Sequence, residues 1–155
     1  MSIDLSKMLV IGISSRALFD LRKENDIFEK EGLEAYCQYQ LEHEDEVLPP
    51  GAGFALVNAF LRLNERTLDG RKVEVIVMSR NNADTSLRLF NSISYYNLDI
   101  TRAALTSGEP LYPYLQAFDV DLFLSAYEKH VQDAIDGGVA AGLIYDTPLD
   151  PHASI

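Results

Sequence analysis

Three short apolar runs in this chain each end in a hydroxyl residue. The run over residues 8–13 stops at Ser14-Ser15 and then Arg16. The run over residues 73–78 stops at Ser79-Arg80-Asn81, and the run over residues 120–124 stops at Ser125. A short apolar run followed by small polar residues reads as a buried strand that delivers a loop to the edge of a sheet. Hydroxyls and loop N–H groups that converge there suit an oxyanion or a phosphate, and an arginine supplies the countercharge. Ser14, Ser15, Arg16, Ser79, Arg80, Asn81 and Ser125 are therefore candidate phosphate-binding residues. The competing reading is that loops are polar wherever they lie.

Other chemistries find less support. A carboxylate nucleophile working with a divalent cation needs acids at that same edge. The first run ends in Ile13-Ser14-Ser15 and the third in Leu124-Ser125-Ala126, with no carboxylate in either. Asp20 stands beyond the first strand, and Asp119 and Asp121 stand before or within the later one. Asp84 precedes an apolar-periodic run, which suits a helix cap. His43 lies in the acidic run EHEDE, a solvated face with no second histidine at ligand spacing. His130 reads as a surface residue on a helix. Neither GxxxxGK[ST] nor GxSxG occurs. Tyr95, Tyr96, Tyr112 and Tyr114 could stack on a base, but their places at helix ends suit packing.

The elements that must hold these residues follow from length and periodicity. The chain has 155 residues, which predicts one domain over residues 1–155. A net charge of -11 argues against a nucleic-acid partner, since phosphate backbones call for a basic surface. The first residues lack a secretory pattern, and no apolar run approaches the ~20 residues of a membrane span. The single cysteine, Cys37, excludes an internal disulfide and fits a reducing compartment. Together these predict a cytoplasmic protein.

Residues 20–46 carry apolar side chains at near-helical spacing, with Gly32 as a divider. This is more than a strand-to-strand crossover needs. It predicts a helical insertion over residues 21–48, placed as a cap over the sheet edge. Pro49-Pro50-Gly51 ends it, and a helix over 51–64 and a turn at Asp69-Gly70 follow. Strands are expected over 73–78, 100–105, 120–124 and 139–145. Helices are expected over 84–96, 112–118 and 126–136, the last closed by Gly137-Gly138. Residues 146–155 read as a loose tail. Alternating strands and helices predict an α/β fold with a five-stranded, mainly parallel sheet.

The blocks SSRALFDL, YQLEHEDEVLPPGAGFALV, VEVIVMSRNNADTSLRLFNSI and YYNLDITRAALTSGEPLYPYLQAFDVDLFLSA closely resemble the cytosolic type I 5′-nucleotidase family. The resemblance covers residues 9–144. It implies a three-layer, Rossmann-like, haloacid-dehalogenase-like domain with a small helical cap. It also implies Mg²⁺-dependent hydrolysis of nucleoside 5′-monophosphates, so the expected ligand is a nucleoside monophosphate or phosphate. The likeness is to the amino-terminal half of longer members, whose DGD-type loop and paired acidic loop lie in the other half.

Aligned on the shared Leu-Phe, Ile13 and Ser15 take the places of the nucleophile and the acid/base. Ser125 and Ala126 take the places of the paired acidic metal site. Ser79 matches the second-motif Ser/Thr that binds phosphate. Gln116 stands where the family shows Lys in YLKA, and joins the phosphate-site candidates on that ground. Mg²⁺ is thus implied by the resemblance while its ligands are not evident, and no catalytic residue is assigned. One expectation is a 5′-nucleotidase that draws its acids from an unusual residue set or a partner chain. The alternative is a non-catalytic haloacid-dehalogenase-like domain that binds nucleotide or phosphate, or serves in assembly, as a homo-oligomer or with a partner chain. The deciding feature is whether Asp20, Asp84 or Glu109 reaches the strand-one edge. A phospho-receiver domain fits the acidity and the five strands, but lacks acids after strand one and at the end of strand three.

Overall fold

The computed structural model describes residues 7–66, 70–83 and 85–145. Asp69, Asp84 and the tail over 146–155 lie outside them. Five strands, β1 (Leu9–Ser14), β2 (Val73–Ser79), β3 (Arg102–Leu105), β4 (Leu122–Ser125) and β5 (Ala140–Leu143), form one sheet in the order β3-β2-β1-β4-β5. Every neighbouring pair is parallel. Among the described residues seven helices accompany them: α1 (Ser15–Leu18), α2 (Arg22–Glu31), α3 (Leu33–Glu42), α4 (Phe54–Glu65), α5 (Leu87–Tyr95), α6 (Tyr112–Ala117) and α7 (Glu128–Asp136). The fold is the expected α/β, Rossmann-like arrangement.

β1 and β2 lie at the centre of the sheet and are covered from both sides, so their faces are largely apolar; the exception is Glu74 of β2, fully buried and 3.1 Å from Arg71 Nη1. Ile11, Ile13, Val75 and Val77 face one core, which receives Val57 and Leu61 of α4 and Leu89 and Ile93 of α5. Val10, Ile76, Met78 and Phe123 face the other, which receives Leu111, Leu115 of α6 and Ala134 of α7. Three layers result. Gly12 is buried between β2 and β4; a Cβ there would meet Phe123 and Val120 at 3.4 Å.

The segment between β1 and Pro49 is helical, and it divides at Gly32 as its composition indicates. Gly32 has φ +94°, a value that favours glycine, and it ends α2 and begins α3. Pro50 bridges back to Phe19, and Gly51 and Gly53 donate N–H bonds to the carbonyls of Leu18 and Ala17. The helical segment therefore leaves from and returns to the same place beside β1.

Boundaries differ from expectation at several places, β4, β5 and the start of α7 among them, and four of the differences have a local reason. Ser15 and Arg16, expected in a loop, form the first turn of α1, because Ser14 caps it by accepting the Ala17 N–H. The helix expected from residue 51 begins at Phe54, because Gly51 and Gly53 spend their N–H groups on the α1 end. The helix after β2 begins at Leu87 with Ser86 at its cap position. Asn82 delays it: its side-chain oxygen accepts the Thr85 N–H at 3.0 Å and its carbonyl accepts the Ser86 hydroxyl at 2.7 Å. β3 begins at Arg102, since Ile100 N–H is turned onto the Leu98 carbonyl. At the end of α7, Gly138 (φ +88°) closes the helix, with Val139 N–H returning to the Ala134 carbonyl.

Candidate functional site at the carboxyl edge of the sheet

All three serine strand ends lie on the carboxyl edge of the central strands. Ile13 pairs with Val77 and with Leu124, so Ser14 and Ser125 end adjacent strands at one level, and Ser79 extends one residue past Met78, the partner of Ser14. Strand alternation puts Ser14 and Ser125 on the α6–α7 face and Ser79 on the α4–α5 face. The structure thus brings two of the serines together and sets the third across the sheet.

Each serine first closes its own turn. Ser14 Oγ accepts Ala17 N–H at 3.2 Å, Ser79 Oγ accepts Asn81 N–H at 3.2 Å, and Ser125 Oγ accepts Tyr127 N–H at 3.1 Å. All three residues are buried. Each hydroxyl oxygen is used as an acceptor, which leaves its proton to donate. Ser15 and Arg16 follow on α1, half-buried.

The turns after β2 and β3 are joined by backbone bonds beyond the last ladder rung. Thr106 N–H reaches Ser79 O at 2.9 Å, Ser107 N–H reaches Asn81 O at 3.3 Å, and Gly108 N–H reaches Arg80 O at 2.7 Å. The Arg80 guanidinium also donates to the Gly108 carbonyl. Asn81 turns the other way and donates its side-chain N–H to the Tyr36 hydroxyl of α3 at 2.7 Å. Through that bond the helical segment touches the edge. Gln116 is exposed on the last turn of α6, where the chain heads for the start of β4, apart from the serine ends.

The acids lie elsewhere. Both carboxylate oxygens of Asp20 take Arg22 N–H bonds, at 2.9 and 2.6 Å, and these hold its carboxyl below the usual range. Glu109 belongs to the turn after β3, with β2 between it and β1. Asp121 caps the opposite end of the sheet, where its carboxylate accepts Val10 N–H at 2.8 Å. Among the described residues no group of three or more His, Cys, Asp or Glu is placed to hold a metal ion. Mg²⁺ is bound through carboxylates, water and substrate phosphates, so the serine-ended edge does not fit a Mg²⁺ site by itself.

Beside this edge, on the α6–α7 face, opens a cleft of about 280 Å³ lined by Arg80, Leu111, Leu115, Tyr127 and His130 among others. His130, expected as a plain surface residue, packs edge-on to Tyr127 with ring centroids 4.7 Å apart. Burial, and then the Arg80 cation, lower its pKa, so the imidazole is neutral at pH 7. Lys129 on the rim faces Asp133 at 3.3 Å. Residue spacing gave no sign of this cleft, because its walls are far apart in the chain. Three other singled-out side chains, Tyr96, Tyr112 and His43, have structural contacts. Tyr96 packs on Phe19 and Phe54 and donates to the Leu48 carbonyl, and Tyr112 donates to the Gly137 carbonyl. His43 stacks on Tyr39.

The family model described as 5′-nucleotidase matches residues 1–154. Cytosolic 5′-nucleotidase 1B of Homo sapiens is 37% identical over 147 residues, which is 92% of this chain and 24% of that protein. The chain therefore spans about a quarter of the length of this relative. No solved structure matches the chain.

Proposed function

The chain belongs to the 5′-nucleotidase family, and from that premise we propose that it serves the hydrolysis of nucleoside 5′-monophosphates by holding the phosphate at the carboxyl edge of its sheet. The observation that supports this reading is an edge with three serine strand ends and Arg80. A phosphate at the strand tips takes the Ser14 proton and loop N–H groups from one face and the Ser79 proton from the other, and Arg80 offsets its charge. Ile13 cannot form an aspartyl phosphate, and Ser15 cannot act as a general acid at neutral pH. The carboxylates of the reaction, and with them any Mg²⁺, come from residues other than those described. The human relative is named as cytosolic, and no helix among the described residues is long and apolar enough to cross a membrane. A cytoplasmic setting is part of the proposal.

The same acid-free edge supports a second reading, a domain that serves only in assembly. The deciding experiment measures phosphate release from AMP, IMP and dTMP with Mg²⁺, beside AMP-induced changes in Tm, for the chain and for Ser79→Ala. The holding role predicts no turnover by the chain alone. It also predicts a Tm rise of roughly 5–10 °C at about hundredfold saturation, reduced in Ser79→Ala. Turnover lost in the variant would show that the chain carries the chemistry itself. Neither turnover nor a Tm shift would overturn the nucleotide reading and leave assembly.

A further inference from the structure

We propose that the cleft between the β2 turn, α6 and α7 seats the nucleoside half of a nucleoside monophosphate, with the Tyr127 ring as stacking face and Arg80 at the phosphate end. The inference rests on the phosphate reading above and specifies where the rest of the ligand lies.

Position is the first support. Arg80 directly follows the Ser79 strand end, and Tyr127 is tied by its own N–H to Ser125 Oγ. The cleft opens on the α6–α7 face, the face on which strand alternation puts Ser14 and Ser125, and Arg80 and Tyr127 of its lining stand one and two residues past Ser79 and Ser125. Surface chemistry is the second. Tyr127 is 50% exposed although its backbone is fixed, so the ring is presented and not packed away. Leu111 and Leu115 form an apolar floor, and His130 stands edge-on to Tyr127. A neutral imidazole next to Arg80 offers one N–H donor and one acceptor to a base edge without adding charge. The cations here are Arg80 and Lys129, and Asp133 already faces Lys129, which leaves Arg80 as the group for an anion. Size is the third. About 280 Å³ is at the small end of ligand pockets, enough for one base with its ribose and too little for a dinucleotide.

The test is titration calorimetry of the whole chain with inorganic phosphate, AMP and adenosine. It uses the wild type, Tyr127→Ala, Tyr127→Phe and His130→Ala, each checked for an unchanged Tm without ligand. AMP is expected to bind at least tenfold tighter than phosphate. Tyr127→Ala should weaken AMP about fivefold or more and leave phosphate unaffected, while Tyr127→Phe retains AMP affinity, because stacking needs only the ring. AMP no tighter than phosphate, or AMP affinity unchanged in both Tyr127→Ala and His130→Ala, would overturn the cleft assignment while phosphate binding upholds the earlier reading. AMP and adenosine that bind through Tyr127 with no phosphate affinity would uphold the cleft and overturn the phosphate site. Binding of none of the three overturns both.

Discussion

Arg88 Nη1 lies 2.7 Å from Glu24 Oε1, and each side chain is only 5% exposed. The pair joins α5 to α2. The guanidinium also donates to Gln40 Oε1 at 3.2 Å and, through Nε, to the Glu46 carbonyl at 2.7 Å. One arginine thus fixes α2, α3 and the loop that follows α3. Removal of one partner of such a buried pair leaves an uncompensated charge and costs about 3–5 kcal/mol. Arg88→Ala and Glu24→Gln should therefore each lower the urea midpoint well below that of the wild type, since either leaves one buried charge unpaired. A double-mutant cycle on the two positions should return a coupling above about 1 kcal/mol; additive effects would show that the helices are held by other contacts.

Gly51 is the tightest backbone approach in the same region. A Cβ there would stand 2.7 Å from the Phe19 carbonyl carbon and 2.8 Å from the Ala17 oxygen, both backbone atoms that cannot swing aside. Gly51→Ala should cost about 1–3 kcal/mol, or several degrees of Tm. Gly12→Ala, whose Cβ would meet only side chains at 3.4 Å, should cost less. Equal Tm values for the two variants would contradict the assignment of close packing to the Gly51 turn.

His130 gives a pH dependence of definite sign. Burial and Arg80 lower its pKa in the folded chain below the ordinary 6.5, so the unfolded chain binds its proton first as pH falls. Stability from this site is complete above about pH 6.5 and declines as pH falls from there to the folded pKa. Urea midpoints at pH 5 and pH 7.5 should differ more for the wild type than for His130→Asn. Identical differences would mean that the imidazole gains no protection from its surroundings.

β1 and β2 were legible, found within a residue of expectation, because central parallel strands read as near-continuous apolar runs, which the one buried Glu74 of β2 does not break. Gly32 was legible too, since a glycine within a helical pattern marks a break. α1 was not, although Ser14 stands three residues before the amide that it caps; its polar pair looked like a loop, and only the hydrogen bond distinguishes a cap from a turn. Of the candidate site, the serine ends could be read because each follows a strand. That Ser79 stands on the other face from Ser14 could not, because one residue of register decides it. Nor could the place of His130, whose partners Arg80 and Tyr127 come from separate crossovers and meet only after the sheet has formed.

The strand order has a consequence for synthesis. Of the five strands of this sheet β1 is made first, yet it is the centre of the sheet, and its neighbours begin at Val73 and Leu122. At ~5–20 residues per second the nascent chain carries a fully apolar strand with two open edges for several seconds before β2 can be made. During that interval the helices made next, and any chaperone at the exit tunnel, are what shield it.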